Sequence, residues 1–252
     1  MACHAVIVNA DDLGIGRDVN DAAFELMAKG RISSATIMAN GPSACEAAQF
    51  AARFPACSFG VHLNLTQFEP LTGGPGARLL VDECGQLSRV NERVHPTRDR
   101  LRAAYDELCA QVDRLAALGV SISHLDSHNH VHTVPVFFPV LKEIQRRYGI
   151  RRVRLSKNFY GSDRPCRRAL AWKKRAYNCA LRSIYWTRTT DAFTEFLTYW
   201  QSDMVRRTSI HLIELMVHPG APYALEETAI LESDWMCRAA PRLQLIPYTR
   251  LT

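Results

Sequence analysis

Several features common in other protein classes are missing from this chain of 252 residues. Its eight cysteines are scattered and form no Cys-x-x-Cys pair, which argues against a zinc knuckle or a disulfide framework and favours reduced thiols used as small core residues. No apolar run approaches the roughly 20 residues that a membrane-spanning helix needs. The first residues lack the basic segment and apolar stretch of a secretory signal. We therefore expect a cytoplasmic protein.

Strand-like and helix-like segments alternate along the chain, with no internal repeat and no low-complexity stretch. Apolar, β-branched runs predict strands at 5–10, 34–39, 57–65, 120–128, 150–156, 211–219 and 243–247. Amphipathic periodicity predicts helices at 19–30, 44–54, 99–118, 137–149 and 226–239. This alternation is typical of parallel strands joined by crossover helices, and the number of units favours an α/β protein with a barrel-like closed sheet over an open one. The active site of such a barrel lies at the carboxyl ends of the strands.

A basic helical insert, predicted at 157–206, interrupts the alternation. The stretch 151–188 holds twelve Lys and Arg against one acid, Asp163, although the whole chain carries a net charge of only +6. Its aromatic residues include Trp172, Tyr177, Tyr185 and Trp186. This composition fits a solvated surface helix, and it also fits peripheral contact of 164–188 with anionic lipids at the inner membrane face. Nucleic-acid binding by 151–188 is a third alternative, but we expect no nucleic-acid partner, because no DNA- or RNA-binding motif accompanies the basic stretch.

Four short motifs fall where predicted strands end. They are NADDLG at 9–14, GVHLNLT at 60–66, HLDSHNHVH at 124–132 and MVHPG at 216–220. Each contains an ionisable or metal-binding side chain. One polar residue at a strand end is ordinary, but four such sets in one alternating fold indicate a shared pocket.

The motif HLDSHNHVH indicates a metal site. Alternate residues of a strand share a face, so His124, Asp126 and His128 are expected to point the same way. Clustered His and Asp are typical ligands of a divalent metal ion, with zinc and magnesium as the main candidates. A purely structural cluster is the alternative, although protonated histidines would repel one another. We therefore predict one divalent metal ion.

Further candidates come from the other motifs. His62 taken alone fits a buried core histidine, but its place at a strand end favours a metal ligand. Asp11 and Asp12 are neighbours and point in different directions, so one can bind a metal while the other stays free to accept a proton from water. An Asp with two His leaves open metal positions, as in catalytic sites. His218 is the natural general acid for a leaving amine, with a structural role as the alternative.

Together, NADDLG, GVHLNLT, HLDSHNHVH and ELMVHPG resemble the YdjC-type carbohydrate deacetylases, in order along most of the chain. The resemblance implies a distorted (β/α) TIM-like barrel, with a single domain over 1–252. It also implies a metal-dependent hydrolase that removes an N-acetyl group from an amino sugar. Asp12, His62 and His128 match the family's metal ligands, Asp11 matches its general base, and His218 matches its general acid.

Three more residues are candidates for substrate contact: Arg154, His130 and Asn64. Arg154 could instead steady Asp11. The resemblance itself gives no role to His124, His130 or His132, and the roles considered for them are support of the metal ligands and contact with the sugar.

The basic insert and the length are most similar to the hopanoid-biosynthesis-associated branch of this family. That likeness implies an N-acetylglucosaminyl hopanoid lipid as substrate, with a soluble chitooligosaccharide such as diacetylchitobiose as the alternative. A non-catalytic glycolipid-binding module and a metallophosphoesterase are alternative functions, although the latter usually has more carboxylate ligands or two metals. A homodimer is compatible with the sequence, which does not fix the oligomeric state.

Overall fold

A curled parallel sheet forms the centre of the protein, as seen in a computed structural model that describes residues 4–92, 97–161, 165–202, 210–239 and 243–251. Its strands within these residues are β1 (His4–Leu13), β2 (Ser34–Ile37), β3 (Ser58–Leu63), β4 (Ile122–Ser127), β5 (Ala192–Glu195), β6 (Leu212–Val217) and β7 (Leu243–Leu245). Their order across the sheet is β4-β3-β2-β1-β6-β5, and β7 pairs with the first residues of β1. Every pairing is parallel, as the alternation of strands and helices predicts.

The prediction of a regular strand at 150–156 is wrong, although the segment closes the sheet. The N–H of Arg154 donates to the carbonyl of Leu125 in β4 at 3.0 Å. Farther along, the N–H of Asn158 donates to the carbonyl of Phe193 in β5 at 3.3 Å. Because the segment meets β4 and β5 at different points, no continuous ladder forms with either strand. The closed arrangement confirms a distorted TIM-like barrel of the α/β class.

Helices cover the outer face of the sheet. They are α1 (Arg17–Ala28), α2 (Ala44–Ala51), α3 (Gly74–Ala77), α4 (Arg98–Ala117), α5 (Phe138–Tyr148), α6 (Arg168–Ser183), α7 (Phe196–Trp200), α8 (Leu225–Glu232) and α9 (Trp235–Ala239). The helix predicted at 226–239 is divided at Ser233, whose backbone is extended and whose hydroxyl donates to the carbonyl of Ile230 at 2.6 Å. In the described part of the chain, no helix combines the length and the apolar character that crossing a bilayer requires.

The insert contains both predicted and unpredicted elements. Its helix is confirmed as α6, which buries Tyr177, Asn178 and Leu181. The sequence did not predict β5 and α7, which also lie within 157–206. Since β5 pairs with β6, the barrel resumes before the expected end of the insert. Residues 162–164 and 203–209 lie outside the described part of the chain, so the segment expected to contact the membrane is described from 165 onward.

The two faces of β1 differ in character. Val6, Val8 and Ala10 are fully buried in the main apolar cluster with residues of the covering helices. Asn9 and Asp11 face the barrel interior, where their side chains hydrogen-bond to residues of other strands and of the 150–156 segment. The interior is therefore polar toward the carboxyl ends of the strands, and a polar site can form there.

Candidate metal centre and active site

A distortion of β1 separates the two adjacent aspartates. Pairing between β1 and β2 shifts between Ala10 and Leu13, as in a β-bulge. Asp12 has a φ of 65°, in the left-handed region that Asp adopts more readily than most residues other than glycine. A regular strand would send the two side chains to opposite faces of the sheet. The bulge instead lets Asp11 and Asp12 reach the same end of the barrel with different partners.

Asp12, His62 and His128 converge at the carboxyl ends of β1, β3 and β4. The Oδ1 of Asp12 lies 3.1 Å from His62 Nε2 and 2.8 Å from His128 Nδ1. One candidate ligand atom from each residue lies within 4.8 Å of the other two. Burial opposes ionisation of Asp12, but hydrogen bonds from His128 and His62 hold the pKa of its carboxyl well below the usual range. The structure therefore brings the three predicted ligands together.

His128 reaches this cluster because the chain turns at the end of β4. The strand ends at Ser127, and a 3-10 segment follows from His128 to Thr133. Within it, Asn129 and His130 have φ values of 52° and 57°. The alternation expected along the strand therefore stops one residue before His128, and the turn directs the His128 ring toward Asp12.

The donor set of Asp12, His62 and His128 fits a divalent metal ion. A carboxylate and two imidazoles are ligands that zinc binds, and three protein ligands leave positions for water and substrate. A second group, formed by Asp11, His62 and Asp126, is equally compact. However, the guanidinium of Arg154 contacts both of those carboxylates, at 2.5 Å and 2.8 Å, so a cation already occupies that position. The electrostatics favour the Asp12 group.

Two side chains behind His62 fix the orientation of its ring. Its Nδ1 lies 2.8 Å from Asp126 Oδ1, and the hydroxyl of Thr36 donates to the other oxygen of Asp126 at 3.0 Å. Because an ionised carboxylate only accepts, Nδ1 carries a proton and Nε2 faces Asp12. Burial disfavours a charged His62, but Asp126 and Asp12 more than offset it and raise the pKa of His62 to about 10. A metal ion would therefore displace the Nε2 proton on binding.

Arg154 holds Asp11 beside the Asp12, His62 and His128 cluster. Two guanidinium nitrogens reach the Asp11 carboxylate, at 2.5 Å and 2.6 Å, and Arg154 also pairs with Asp126 at 2.8 Å and Glu214 at 2.7 Å. Burial opposes ionisation of Asp11, but the charge and hydrogen bonds of Arg154 hold the pKa of this carboxyl well below its usual range. Arg154 is itself fully buried. Two roles were considered for Arg154, contact with the substrate and support of Asp11, and the geometry favours support of Asp11.

His218 follows β6 at the rim of the site. Its side chain is half-buried, its ring centroid lies 5.7 Å from that of Tyr223, and it is near enough to Asp11 for its charge to act on that carboxyl. The backbone N–H of His218 donates to the Glu227 carboxylate of α8 at 2.6 Å. Gly220, with a φ of 78°, packs against the backbone of α1, where a side chain would not fit. The turn after β6 is thus fixed from both sides.

The remaining histidines of HLDSHNHVH differ in their surroundings. His124 is buried and stacks on Tyr248 with 3.8 Å between ring centroids, and His132 is buried beside the Ser127 hydroxyl at 2.5 Å. Burial lowers the pKa of both well below the ordinary value, so they are neutral structural residues. His130 is different, because its buried Nδ1 has no hydrogen-bond partner among the described residues. Substrate contact stays a prediction for His130.

Asn64, the third candidate for substrate contact, lies beneath the surface and bonds within the protein. It is fully buried, and its Nδ2 donates to the carbonyl of Gln67 at 2.6 Å. Its Oδ1 accepts the N–H of Thr66 at 2.9 Å. The geometry therefore makes Asn64 a brace for the loop after β3 instead of a residue that faces the site.

Three functional residues were missed at the sequence level: Thr36, Glu214 and Glu227. Glu214 had a usable signal, since it is a lone acid within the apolar strand LIELMV. It contacts Arg154 and accepts the hydroxyl of Tyr248, and burial raises the pKa of Glu214 to about 7. Thr36 and Glu227 carry no comparable signal, because their roles depend on residues distant in sequence.

Most of the chain matches one known protein family. The family described as YdjC-like protein matches residues 5–242. The chain belongs to the YdjC-like family.

Two curated relatives are carbohydrate deacetylases. The chain is 41% identical over 143 residues to the protein of Geobacillus stearothermophilus, a match that covers 56% of each chain. It is 36% identical over 145 residues to the protein of Vibrio cholerae, a match that covers 58% of this chain and 56% of the relative. The match therefore spans only about half the length of these relatives.

Solved structures share the fold of this YdjC-like chain. A protein of Enterococcus faecalis, described provisionally as a cellobiose-phosphate cleavage protein, superposes with a TM-score of 0.80 over 100% of both chains at 24% identity. An uncharacterised protein of Agrobacterium tumefaciens gives a TM-score of 0.50 over 100% of this chain and 90% of its own, at 15% identity. At these identities the likeness concerns the barrel alone.

Proposed function

We propose that this YdjC-like protein is a metal-dependent hydrolase that removes the N-acetyl group from an N-acetylated amino sugar. The observation that carries the proposal is the division of the aspartate pair. Asp12 faces His62 and His128, whereas Asp11 is ionised and held beside them by Arg154. Metal binding alone would not need a second carboxylate with its own orientation. The carbohydrate deacetylases among the relatives support the same reaction.

The proposed chemistry assigns one task to each polar group. Asp12, His62 and His128 would hold the cation, zinc or magnesium, which when bound supplies Lewis acidity toward water and the acetyl carbonyl. Asp11 accepts a proton from the attacking water, whose oxygen forms a bond to the acetyl carbon. The C–N bond breaks, and His218 donates a proton to the leaving nitrogen. The products are acetate and the free amino sugar.

Arg154 keeps Asp11 ionised and fixes the orientation of its carboxylate. Its guanidinium is shared among Asp11, Asp126 and Glu214, so its charge does not act on Asp11 alone. Oδ1 of Asp11 accepts from Asn9 at 2.9 Å and from Arg154 at 2.6 Å, whereas Oδ2 accepts from Arg154 alone and so has a further lone pair with which to accept a proton. This places a weak but well-oriented base next to the cluster, as general base catalysis needs.

At the level of the substrate, we propose an N-acetylglucosaminyl hopanoid lipid, reached at the inner membrane face. Trp172 and Trp186 are 68% and 77% exposed, and the guanidinium groups of Arg175 and Arg151 lie 5.6 Å and 6.0 Å from their ring centroids. Exposed tryptophans among basic residues are typical of surfaces that lie on anionic lipid. Diacetylchitobiose is the alternative substrate. A cytoplasmic location and a homodimer stay predictions from the sequence.

Two substitutions in the aspartate pair test the proposed reaction. Asp11→Asn should keep the bound metal and lower acetate release by about 100- to 10,000-fold, the usual contribution of a general base. Asp12→Ala should lose the metal and activity together, and His128→Ala should do the same. The measurements are metal content and acetate release from N-acetylglucosamine, diacetylchitobiose and an N-acetylglucosaminyl lipid, each with and without chelator.

Two results would contradict the proposal. Full metal occupancy in both Asp12→Ala and His128→Ala would remove these residues from the metal site, and near wild-type turnover of Asp11→Asn would exclude Asp11 as the base. A metal-loaded wild-type protein that binds the glycolipid and releases no acetate would support the rival function, a non-catalytic binding module.

A further inference from the structure

A groove with basic walls runs between α6 and the segment 157–160. It has a volume of about 720 Å³. Residues on its walls include Lys157, Tyr160, Lys174, Arg175, Asn178 and Arg182. None of the residues assigned to the metal cluster or to proton transfer lines it, so the groove is a separate feature of the fold.

The groove holds more positive charge than its surroundings balance. In the described part of the chain, the one ion pair among its four cations joins Lys157 to Glu195. The ammonium groups of Lys157 and Lys174 lie over the same ring, that of Tyr160, at 5.2 Å and 5.4 Å from its centroid. Burial and the neighbouring Lys157 lower the pKa of Lys174. A bound anion would stabilise cations that the fold keeps this close together.

Internal hydrogen bonds keep the walls of the groove in place. The side chain of Asn178 accepts the N–H of Ser156 and donates to its carbonyl, both at 2.9 Å, which ties α6 to the barrel. Arg182 donates to the carbonyl of Thr190 at 2.9 Å. Binding an anion between fixed walls costs little ordering of the protein, which favours affinity.

The groove adjoins the metal centre through the segment that closes the barrel. Lys157 follows Arg154 by three residues, which is at most about 11 Å of extended chain. Its partner Glu195 lies two residues after Phe193, whose ring centroid is 4.7 Å from the guanidinium carbon of Arg154. A molecule with its acetyl group at the metal centre could therefore extend toward the groove.

We propose that this groove binds a phosphate group, with Lys174 and Arg175 as its principal ligands. A phosphate presents several acceptor oxygens and up to two negative charges, which suits a flexible ammonium beside a planar guanidinium. Such a group occurs in the headgroup of an anionic phospholipid and in a phosphorylated sugar. The inference goes beyond the deacetylase proposal, since phosphate binding here needs neither the metal nor proton transfer.

The test is calorimetric titration of the full chain with inorganic phosphate, at constant ionic strength against chloride. The double substitution Lys174→Gln with Arg175→Gln should weaken phosphate binding by about tenfold or more. Arg168→Gln with Lys173→Gln removes the same charge from exposed positions of α6 outside the groove, and should change affinity by less than about twofold. Asp12→Ala should bind phosphate like wild type, which separates the groove from the metal centre.

Two further arms identify the source of the phosphate. One arm uses N-acetylglucosamine 6-phosphate, and the other uses phosphatidylcholine vesicles that contain phosphatidylglycerol. Binding should fall in the groove variant, Lys174→Gln with Arg175→Gln, and not in the matched variant, Arg168→Gln with Lys173→Gln. Circular dichroism verifies folding, and Arg175→Gln alone is the substitute if the double variant fails to fold. The proposal is overturned if wild type shows no saturable phosphate binding, if both double variants lose affinity equally, or if Asp12→Ala abolishes binding.

Discussion

Replacing Asp126 by Asn should weaken metal binding although Asp126 is not itself a proposed ligand. Asp126 accepts the Nδ1–H of His62 at 2.8 Å, which leaves Nε2 to face Asp12. The amide introduced by Asp126→Asn can donate to Nδ1, and the ring proton would then move to Nε2. A protonated Nε2 cannot bind a metal ion.

The expected size of the effect follows from the burial of this contact. Loss of a residue that orients a metal-ligating histidine costs about 10- to 100-fold in metal affinity, or about 1.4–2.7 kcal/mol. Asp126 is fully buried, so water cannot replace it as the acceptor, and we expect a loss near the upper end of this range.

Glu214→Gln is the matched control for this substitution. Glu214 is also fully buried and lies 2.7 Å from Arg154, compared with 2.8 Å for Asp126, but only Asp126 contacts His62. Glu214→Gln should therefore change metal affinity by less than about threefold. The assay is competition for zinc between each purified variant and a chelator of known affinity, with thermal unfolding measured in parallel. Equal losses in the two variants would refute the reasoning, because the cause would then be the charge balance around Arg154.

Two further predictions concern stability. Burial raises the pKa of Glu227 from 4.5 to about 7. As pH rises, the unfolded chain loses this proton before the folded chain does, so the stability of the fold falls between these two pH values. Across that window, the free energy of unfolding of Glu227→Gln should rise by up to about 3 kcal/mol relative to that of wild type. The measurement is denaturant unfolding of both proteins at several pH values. A difference between the two proteins that stays constant with pH would contradict this prediction. Gly60→Ala would place a Cβ 2.7 Å from the ring of His124 and should lower the free energy of unfolding by about 1–3 kcal/mol. Gly73→Ala, which meets no atom within 4 Å, is its control, and equal effects of the two would contradict the steric explanation.

The sequence predicted the fold best where hydrophobic periodicity was continuous. The 20-residue helix α4 and the apolar strand β6 were located to within one or two residues. The four-residue strand β5, AFTE, was missed because, unlike the equally short β2, it is not part of a longer apolar run, and its pairing with β6 gives it a place in the sheet. The segment 150–156 was overpredicted for the opposite reason, since its β-branched residues are buried but its backbone hydrogen bonds are divided between β4 and Arg188, which lies outside the strands.

The convergence of the candidate ligands was predictable from the sequence, whereas the contacts that support them were predictable only in part. Strand ends of a parallel barrel meet at one edge, so motifs at those ends could be placed together without knowing any contact. The pairing of Asp11 with Arg154 joins residues 143 positions apart, and the sequence offered it only as one of two roles for Arg154. The same holds for Asp126, which was visible in its motif, although its contact with His62 depends on the pairing register of β3 and β4.

The aspartate pair itself shows how a local irregularity makes the site work. On a regular strand, the side chain after Asp11 would point to the outer face, toward the covering helices and away from His62. The positive φ of Asp12 breaks that alternation, and a residue held in this region costs on the order of 1–3 kcal/mol. Hydrogen bonds offset that cost, since the Asp12 carbonyl accepts the N–H of Ile15 at 3.1 Å and its carboxylate is bound by two histidines. Adjacency is therefore useful because the strand ends irregularly at Asp12, which places two consecutive carboxylates in one site as the proposed ligand and the proposed base.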